Sequence, residues 1–159
     1  MHFFRSISII SILFLTVSTS FAQNSEKVRV EHFNLKKNVA ISAYDAVSYF
    51  SGEPTKGQPT FALQHNGVVY FFSTKTNKAL FIENPEKYEP AYGGWCAYAM
   101  GLSKAEKVSI NPKTYKIIDN KLYLFYNKLG TNTKEKWDKE DGEKLKANAD
   151  KNWNKIVSK

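Results

Sequence analysis

The chain has 159 residues with a formal net charge of +8, and 14% of the residues are aromatic. Its lysines are scattered among acidic residues rather than gathered in an arginine-rich stripe, so the charge indicates a solvated surface and argues against nucleic-acid binding. The single cysteine cannot form an intramolecular disulfide, which excludes a disulfide-stabilised scaffold.

Residues 1–22 have the order of a cleavable secretory signal peptide. Arg5 supplies the cation, residues 7–17 are mostly apolar, and Ser20 and Ala22 occupy the small-residue positions of a signal-peptidase site. A membrane-spanning helix needs about 20 apolar residues, and this run is too short and too rich in serine. The sequence therefore predicts an exported protein, periplasmic or secreted, with no integral membrane segment after cleavage.

The next residues lead into one predicted domain. Residues 23–38 are polar and are interpreted as a loosely held leader, and residues 39–157 form the domain. Two strand-like runs, 61–64 and 68–72, flank Asn66-Gly67. That dipeptide is the strongest short signal for a β-hairpin, because both central residues of a type I′ turn need positive φ.

A short helix and a second hairpin follow. Ser73 or Thr74 can cap a helix over residues 75–83. The second hairpin is predicted from residues 115–118 and 122–126. The later of these runs is apolar on both faces, which indicates a strand that is central in its sheet.

Residues 133–157 are predicted to form an amphipathic helix that packs on the sheet. Gly142 weakens or breaks this helix near its middle. With the hairpins, this gives an α+β domain: a small antiparallel sheet built from hairpins, one short helix after the first hairpin and a C-terminal amphipathic helix. The apolar face of the last helix consists of Trp137, Leu145, Ala149, Trp153 and Ile156.

Several segments of the chain carry a family resemblance. They are residues 43–50 (AYDAVSYF), 70–88 (YFFSTKTNKALFIENPEKY), 92–100 (YGGWCAYAM) and 149–153 (ADKNW). Together they resemble the YHS-domain family, in particular its exported branch, over residues 39–156. The resemblance implies a metal-handling function, because YHS domains occur beside copper and other heavy-metal transport proteins and their cysteines are suspected ligands.

The cysteine positions of that family fall on Ser48, Ser73 and Asn77 in this chain. Serine hydroxyl and amide oxygens are poor ligands for soft metals, which prefer thiolate, thioether or imidazole. The thiolate cluster that the resemblance implies is therefore absent.

A soft metal ion would have to use other donors, and those present are Cys96, Met100, His65 and His32. Cys96 and Met100 are four residues apart, so they share one face of a helix or of a strand. Cys96, Met100 and His65 form a set that suits Cu(I), and they are the candidate metal ligands. The alternative is that Cys96 and Met100 are core residues and that His65 lies on the surface of the hairpin.

The same cysteine allows an enzymatic interpretation. Cys96 could be a nucleophile with His65 or His32 as its base. Asp45 would then orient the base, and Gly93-Gly94 could offer backbone amides to an oxyanion. A lone cysteine and a distant histidine are a weak signal for this chemistry, so we predict that the protein is not an enzyme.

Aromatic residues near these segments allow either a pocket for a small ligand or a packed core with hydroxyl groups at the surface. The sequence thus predicts an exported YHS-like binding protein for a metal ion, with copper possible, or for a small ligand. A thiol-dependent enzyme and a structural or interaction module without a ligand are the alternatives. The aromatic residues in question are Tyr44, Tyr49, Tyr70, Tyr92, Trp95 and Tyr98.

Overall fold

The computed structural model describes residues 25–158, and the predicted signal peptide at residues 1–22 lies outside them. Within the described range the chain is an α+β fold, as predicted, with three small sheets and two apolar cores. No helix in this range is both long enough and apolar enough to cross a membrane.

The helices and strands follow one another along the chain in a mixed order. The helices are α1 (25–32), α2 (Lys75–Glu83), α3 (Pro85–Tyr88), α4 (Ala97–Gly101), α5 (Thr133–Lys139) and α6 (Gly142–Val157). The strands are β1 (Leu35–Lys36), β2 (Val39–Ala40), β3 (Gln58–His65), β4 (Val68–Phe72), β5 (Asn111–Ile118), β6 (Lys121–Phe125), β7 (Asn127–Lys128) and β8 (Thr131–Asn132).

The first sheet has the strand order β1-β2-β4-β3. Its β3–β4 pair is the predicted hairpin, and Asn66 and Gly67 have the positive φ values of 45° and 78° that its turn requires. Val39 pairs in parallel with Val69, so the sheet is mixed rather than purely antiparallel. Thr74 caps α2 by accepting a hydrogen bond from the backbone N–H of Asn77.

The second predicted hairpin is β5–β6, with its turn at Asp119 and Asn120. The strand β6 has β5 on one edge and isolated bridges to Pro90 and Cys96 in addition. Both faces of β6 are buried, which agrees with its apolar sequence, but the prediction that it is central in its sheet is wrong, because that sheet has only the strands β5 and β6 and the second face is covered by helices instead. Alternating residues separate the two cores: Leu122 and Leu124 belong to the first core, and Tyr123 and Phe125 belong to the second.

The C-terminal helical region is interrupted near Gly142, as predicted. The helix α5 ends at Lys139 and α6 begins at Gly142, where the Asp141 side chain accepts a hydrogen bond from the N–H of Lys144. A Cβ atom on Gly142 would lie 2.8 Å from Nε1 of Trp137, so a side chain there would collide with the indole. The start of α6 therefore packs directly on α5.

The helices α4 and α6 are in close contact. A Cβ atom on Gly101 would lie 2.5 Å from the carbonyl oxygen of Leu145, so only glycine permits this approach. The side chain of Asn152 donates to the carbonyl oxygens of Met100 and Leu102, at 2.9 and 3.1 Å. The end of α4 is thus satisfied by side chains of α6.

Residues 25–38 are part of the folded unit rather than a loosely held leader. The side chain and the backbone N–H of Asn34 donate to Gly94 and Gly93 carbonyl oxygens at 3.0 and 2.9 Å. The indole of Trp95 donates to the carbonyl oxygen of His32 at 2.7 Å. The polar composition misled the prediction, because a few specific hydrogen bonds hold this segment against residues 92–95, which we call the YGGW turn.

Candidate functional site

Cys96 is fully buried and lies at the start of α4. The hydroxyl of Thr133 donates to the carbonyl oxygen of Tyr126 at 2.9 Å. The thiol therefore donates to Thr133 Oγ1, at 3.3 Å, and its sulfur accepts from the N–H of Tyr126 at 3.4 Å. Both hydrogen-bonding roles of the thiol are filled by the protein.

The other candidate metal ligands lie in different surroundings. Met100 shares α4 with Cys96 and is buried in the second core. His65, at the end of β3, packs edge-on against Phe81 of the first core and contacts the side chain of Asn66. His32 contacts Lys107 through its ring nitrogen.

These donors do not fit a soft-metal site. To bind a metal ion, Cys96 would have to give up its two hydrogen bonds inside the core. His65 packs against Phe81 of the first core, whereas Met100 belongs to the second core. Among residues 25–158, no group of three or more His, Cys, Asp or Glu side chains could hold a metal ion. Cys96 is the N-cap residue of α4 and Met100 lies within that helix, where the N–H of Met100 donates to the carbonyl oxygen of Cys96 at 3.0 Å.

Asp45 is fully buried at the centre of a polar network. Its Oδ2 accepts hydrogen bonds from the N–H of Ser73 at 2.8 Å, from the hydroxyl of Ser73 at 2.6 Å and from the side chain of Asn77 at 2.7 Å. Its Oδ1 accepts from the N–H of Val47 at 2.9 Å. We call Asp45, Val47, Ser73 and Asn77 the Asp45 network, and in it every carboxylate oxygen has a donor.

The positions that the family resemblance marked as cysteines meet at this network. Ser73 and Asn77 donate to the Asp45 carboxylate, and Ser48 donates to its backbone carbonyl oxygen at 2.7 Å. The bond of Asp45 with the N–H of Val47, two residues on, is typical of a turn residue, and no histidine is among the hydrogen-bond partners of its carboxylate. Because these groups donate to Asp45, they hold the anion in place and leave no free oxygen for a ligand.

A cleft of about 310 Å³ lies between α1, the YGGW turn, β6 and α6. We call it the charged cleft, because two cations and two carboxylates line it together with aromatic rings. Its size and its mixture of rings with a few polar groups are typical of small-molecule sites. The lining residues are Arg29, Phe33, Glu89, Pro90, Ala91, Tyr92, Gly93, Lys121, Tyr123, Asp150 and Trp153.

One pair of charges in the charged cleft is internally satisfied. The Arg29 guanidinium binds both carboxylate oxygens of Glu89, and the hydroxyl of Tyr70 donates to the same carboxylate at 2.8 Å. Burial, reinforced by the charge of Glu89, raises the pKa of Tyr70 well above its usual value. A bidentate Arg–carboxylate pair of this kind fixes the wall of the cleft.

Lys121 is the open cation of the charged cleft. Its ammonium group donates one hydrogen bond, to the carbonyl oxygen of Glu86 at 2.6 Å, and an ammonium has three N–H groups. No salt bridge joins Lys121 to another residue of the described range. Burial lowers the pKa of Lys121 despite the nearby charges of Glu89 and Glu86.

Asp150 is the open carboxylate of the charged cleft. The hydroxyl of Tyr92 donates to its Oδ1 at 2.9 Å, and no cation within residues 25–158 forms a salt bridge with it. Burial raises the pKa of Tyr92, and the charge of Asp150 raises it further. Burial also raises the pKa of Tyr123, so both hydroxyl groups stay protonated at neutral pH.

The wall of the charged cleft is aromatic and rests on a left-handed turn. Phe33 and Trp153 pack with ring centroids 5.8 Å apart. Tyr92 and Gly93 have φ values of 55° and 59°, a region that costs most residues energy. A Cβ atom on Gly93 would lie 2.7 Å from the ring of Phe33 and 2.9 Å from that of Trp153, so glycine is needed here for both conformation and space.

Two other depressions lack such converging groups. A groove of about 400 Å³ between β3 and α2 is lined by Thr60, Phe61, Lys75, Lys78, Ala79 and Ile82, and Lys78 already donates to the carbonyl oxygen of Ala62. A depression of about 360 Å³ lies along β5 and β7. The charged cleft is therefore the best candidate site, although its volume is the smallest of the three.

No family model, curated protein or solved structure matches the chain. The site therefore rests on its own geometry. Sequence reasoning singled out Tyr92 and the two glycines that follow it, but not Arg29, Lys121 or Asp150. The signal for Asp150 was its position three residues before Trp153, which places the two side chains on one face of α6.

Proposed function

We propose that the protein is an exported binding protein without catalytic activity, and that it holds a small organic ligand in the charged cleft. The observation that carries the proposal is a cleft with one open cation, Lys121, and one open carboxylate, Asp150, beside an aromatic wall. Lys121 is partly buried, and a partly buried cation is costly unless an anion compensates it, whereas the exposed Asp150 offers its carboxylate to a cation. A bound ligand would supply that partner.

The state of Cys96 favours binding over thiol catalysis. A nucleophilic thiol must be accessible and must exist as a thiolate. Cys96 is fully buried, and its thiol donates a hydrogen bond to Thr133. The same contacts favour an organic ligand over copper, because a metal at this sulfur would displace both hydrogen bonds in the core.

A screen of small organic molecules by thermal unfolding tests the proposal. A ligand that binds only the folded protein stabilises it by RT ln(1 + L/Kd), where L is the free ligand concentration, so its melting temperature rises with ligand concentration. We expect some compounds to raise the melting temperature of the wild-type protein. Their effect should be lost in Trp153→Leu, because this variant removes the indole ring from the aromatic wall.

Ile82→Ala is the matched control, since Ile82 lines the groove between β3 and α2 and is 56% exposed. Its ligand response should equal that of the wild-type protein. Stabilising compounds whose effect depends on Ile82 but not on Trp153 would refute the assignment to the charged cleft. A broad library without any stabilising compound would refute the binding function itself.

A further inference from the structure

The two open charges of the charged cleft have opposite signs and lie on different sides of it. Lys121 is near Glu86, Glu89 and Arg29, whose charges influence its pKa. Asp150 is instead bound to Tyr92 and influences the pKa of Tyr92 and Tyr123. The cation and the carboxylate therefore belong to two separate groups of lining residues.

Strand β6 and two aromatic rings connect the two groups. Lys121 and Tyr123 are two apart on β6, so they lie on the same face of the strand, about 7 Å apart along it. The ring of Tyr123 packs against that of Tyr92, with centroids 5.8 Å apart, and Tyr92 then contacts Asp150. Two packed rings thus separate the ammonium group from the carboxylate.

The charges of the charged cleft cancel as a whole. Arg29 neutralises Glu89 in a bidentate pair, which leaves one positive charge on Lys121 and one negative charge on Asp150. A dianion such as a phosphate monoester has two negative charges but would find only one open cation, Lys121. It would also lie near the carboxylate of Glu89. A molecule with one charge of each sign matches both open groups without leaving a surplus charge in the cleft.

We infer that the ligand is a small zwitterion, with a carboxylate that binds Lys121 and an ammonium group that binds Asp150. A spacer of several carbon atoms joins the two charges and packs on Phe33 and Trp153. This inference rests on the proposed function, because it names the chemical class of ligand for the same cleft. The two remaining N–H groups of Lys121 and the Oδ2 of Asp150 provide the hydrogen bonds.

Three probes with the same carbon chain length test this charge pattern: ε-aminocaproate, caproate and hexylamine. The first carries both charges, and the others carry only the anion or only the cation. NMR titration of the purified protein gives the dissociation constant of each. We expect ε-aminocaproate to bind at least about tenfold more tightly than either singly charged probe, because it forms charge-assisted hydrogen bonds at both ends.

Two variants test separately how the protein binds the two charged ends of the ligand. Lys121→Gln should weaken ε-aminocaproate and caproate about tenfold or more and leave hexylamine unchanged. Asp150→Asn, which keeps an oxygen acceptor for Tyr92, should weaken ε-aminocaproate and hexylamine and leave caproate unchanged. Lys151→Gln is the control, because Lys151 is exposed on α6 and does not line the cleft.

The outcomes distinguish the ligand class from the binding function. If caproate binds as tightly as ε-aminocaproate, or if both variants weaken all probes equally, the zwitterion inference is wrong while the cleft remains a binding site. The same holds if no probe binds but library compounds still depend on Trp153. If neither the probes nor the library bind, the proposed function fails as well.

Discussion

Two of the left-handed turns within residues 25–158, at residues 41–43 and 92–93, lie beside the Asp45 network and the charged cleft, and these two clusters differ in how completely their polar groups are satisfied. Ile41, Ser42 and Ala43, with φ between 51° and 68°, precede the Asp45 network. Tyr92 and Gly93 form the equivalent turn at the charged cleft. A strained backbone persists only where surrounding contacts hold it, so both clusters help to hold the turns beside them.

In the Asp45 network, protein groups alone supply the hydrogen bonds. Four hydrogen bonds reach the carboxylate of Asp45, and no buried side-chain nitrogen or oxygen in the described part of the chain lacks a partner. In the charged cleft, Lys121 and Asp150 keep unused hydrogen-bonding capacity. The comparison teaches that a polar cluster saturated by protein groups stabilises the fold, whereas a cleft that keeps open charges indicates binding.

The thiol of Cys96, like the Asp45 network, has all its hydrogen bonds filled by the protein. Its rate of alkylation gives the largest effect that we expect. Because the thiol is fully buried and hydrogen-bonded, alkylation requires the protein to open. We expect native Cys96 to react at least about a thousandfold more slowly than the unfolded chain, which follows from ordinary folding stabilities. A thiol-reactive dye with and without denaturant measures both rates, and fast modification of the native protein would restore the nucleophile interpretation.

Replacing one carboxylate of each cluster should show how much each cluster contributes to stability. Asp45 is buried, and Asp150 is exposed. Asp45→Ala leaves the donors of Val47, Ser73 and Asn77 without an acceptor, so we expect a loss of about 3–5 kcal/mol in the free energy of unfolding. Asp150→Ala removes an exposed group and should change it by less than about 1 kcal/mol. Urea unfolding measures both values, and equal losses would contradict the distinction between the clusters.

The turn at the charged cleft can be tested with a pair of glycines. Gly93→Ala introduces a Cβ atom at positive φ and against Phe33 and Trp153, and we expect a loss of about 2–3 kcal/mol. Gly52→Ala is the control: Gly52 also has a positive φ, of 86°, but nothing lies within 4 Å of its added Cβ. It should cost about 1 kcal/mol. Equal losses would mean that Phe33 and Trp153 do not confine the turn.

High pH should destabilise the protein through its buried tyrosines. The pKa of Tyr92 is raised in the folded protein, so above about pH 10 the unfolded chain loses the phenolic proton first and binds fewer protons than the folded chain. Stability is therefore present below pH 10 and falls as pH rises, by up to about 1.4 kcal/mol per pH unit for one such group.

Tyr92→Phe should reduce this alkaline slope, and Tyr49, Tyr70 and Tyr123 contribute to what remains, because burial also raises their pKa values. Urea unfolding at several pH values above 9 gives the slope. An unchanged slope in Tyr92→Phe would show that the hydroxyl of Tyr92 is not held protonated beside Asp150.

Local signals in the sequence predicted much of the fold. The turns at Asn66-Gly67 and Asp119-Asn120 and the cap at Thr74 each depend on a few adjacent residues, so they can be read directly. The burial of both faces of β6 followed from its uninterrupted apolar run. Residues 25–38 could not be placed in the same way, because contacts such as that of Asn34 with Gly93 join positions about 60 residues apart.

The site was harder to predict for the same reason. Arg29, Lys121 and Asp150 come from three distant elements, and only Asp150, three residues before Trp153, has a local sequence signal that distinguishes it from other surface charges. Cys96 attracted functional interpretations because it is chemically reactive and unique in the chain. Its hydrogen bonds with Thr133 and Tyr126, which sequence cannot supply, place it in the core instead.

An NMR titration with ε-aminocaproate that follows one signal in each cluster tests the central claim most directly. The indole N–H of Trp153 reports on the charged cleft, and the side-chain amide of Asn77 reports on the Asp45 network. The account predicts that the Trp153 signal shifts with saturation while the Asn77 signal stays in place. A saturating shift of Asn77 with no change at Trp153 would contradict it.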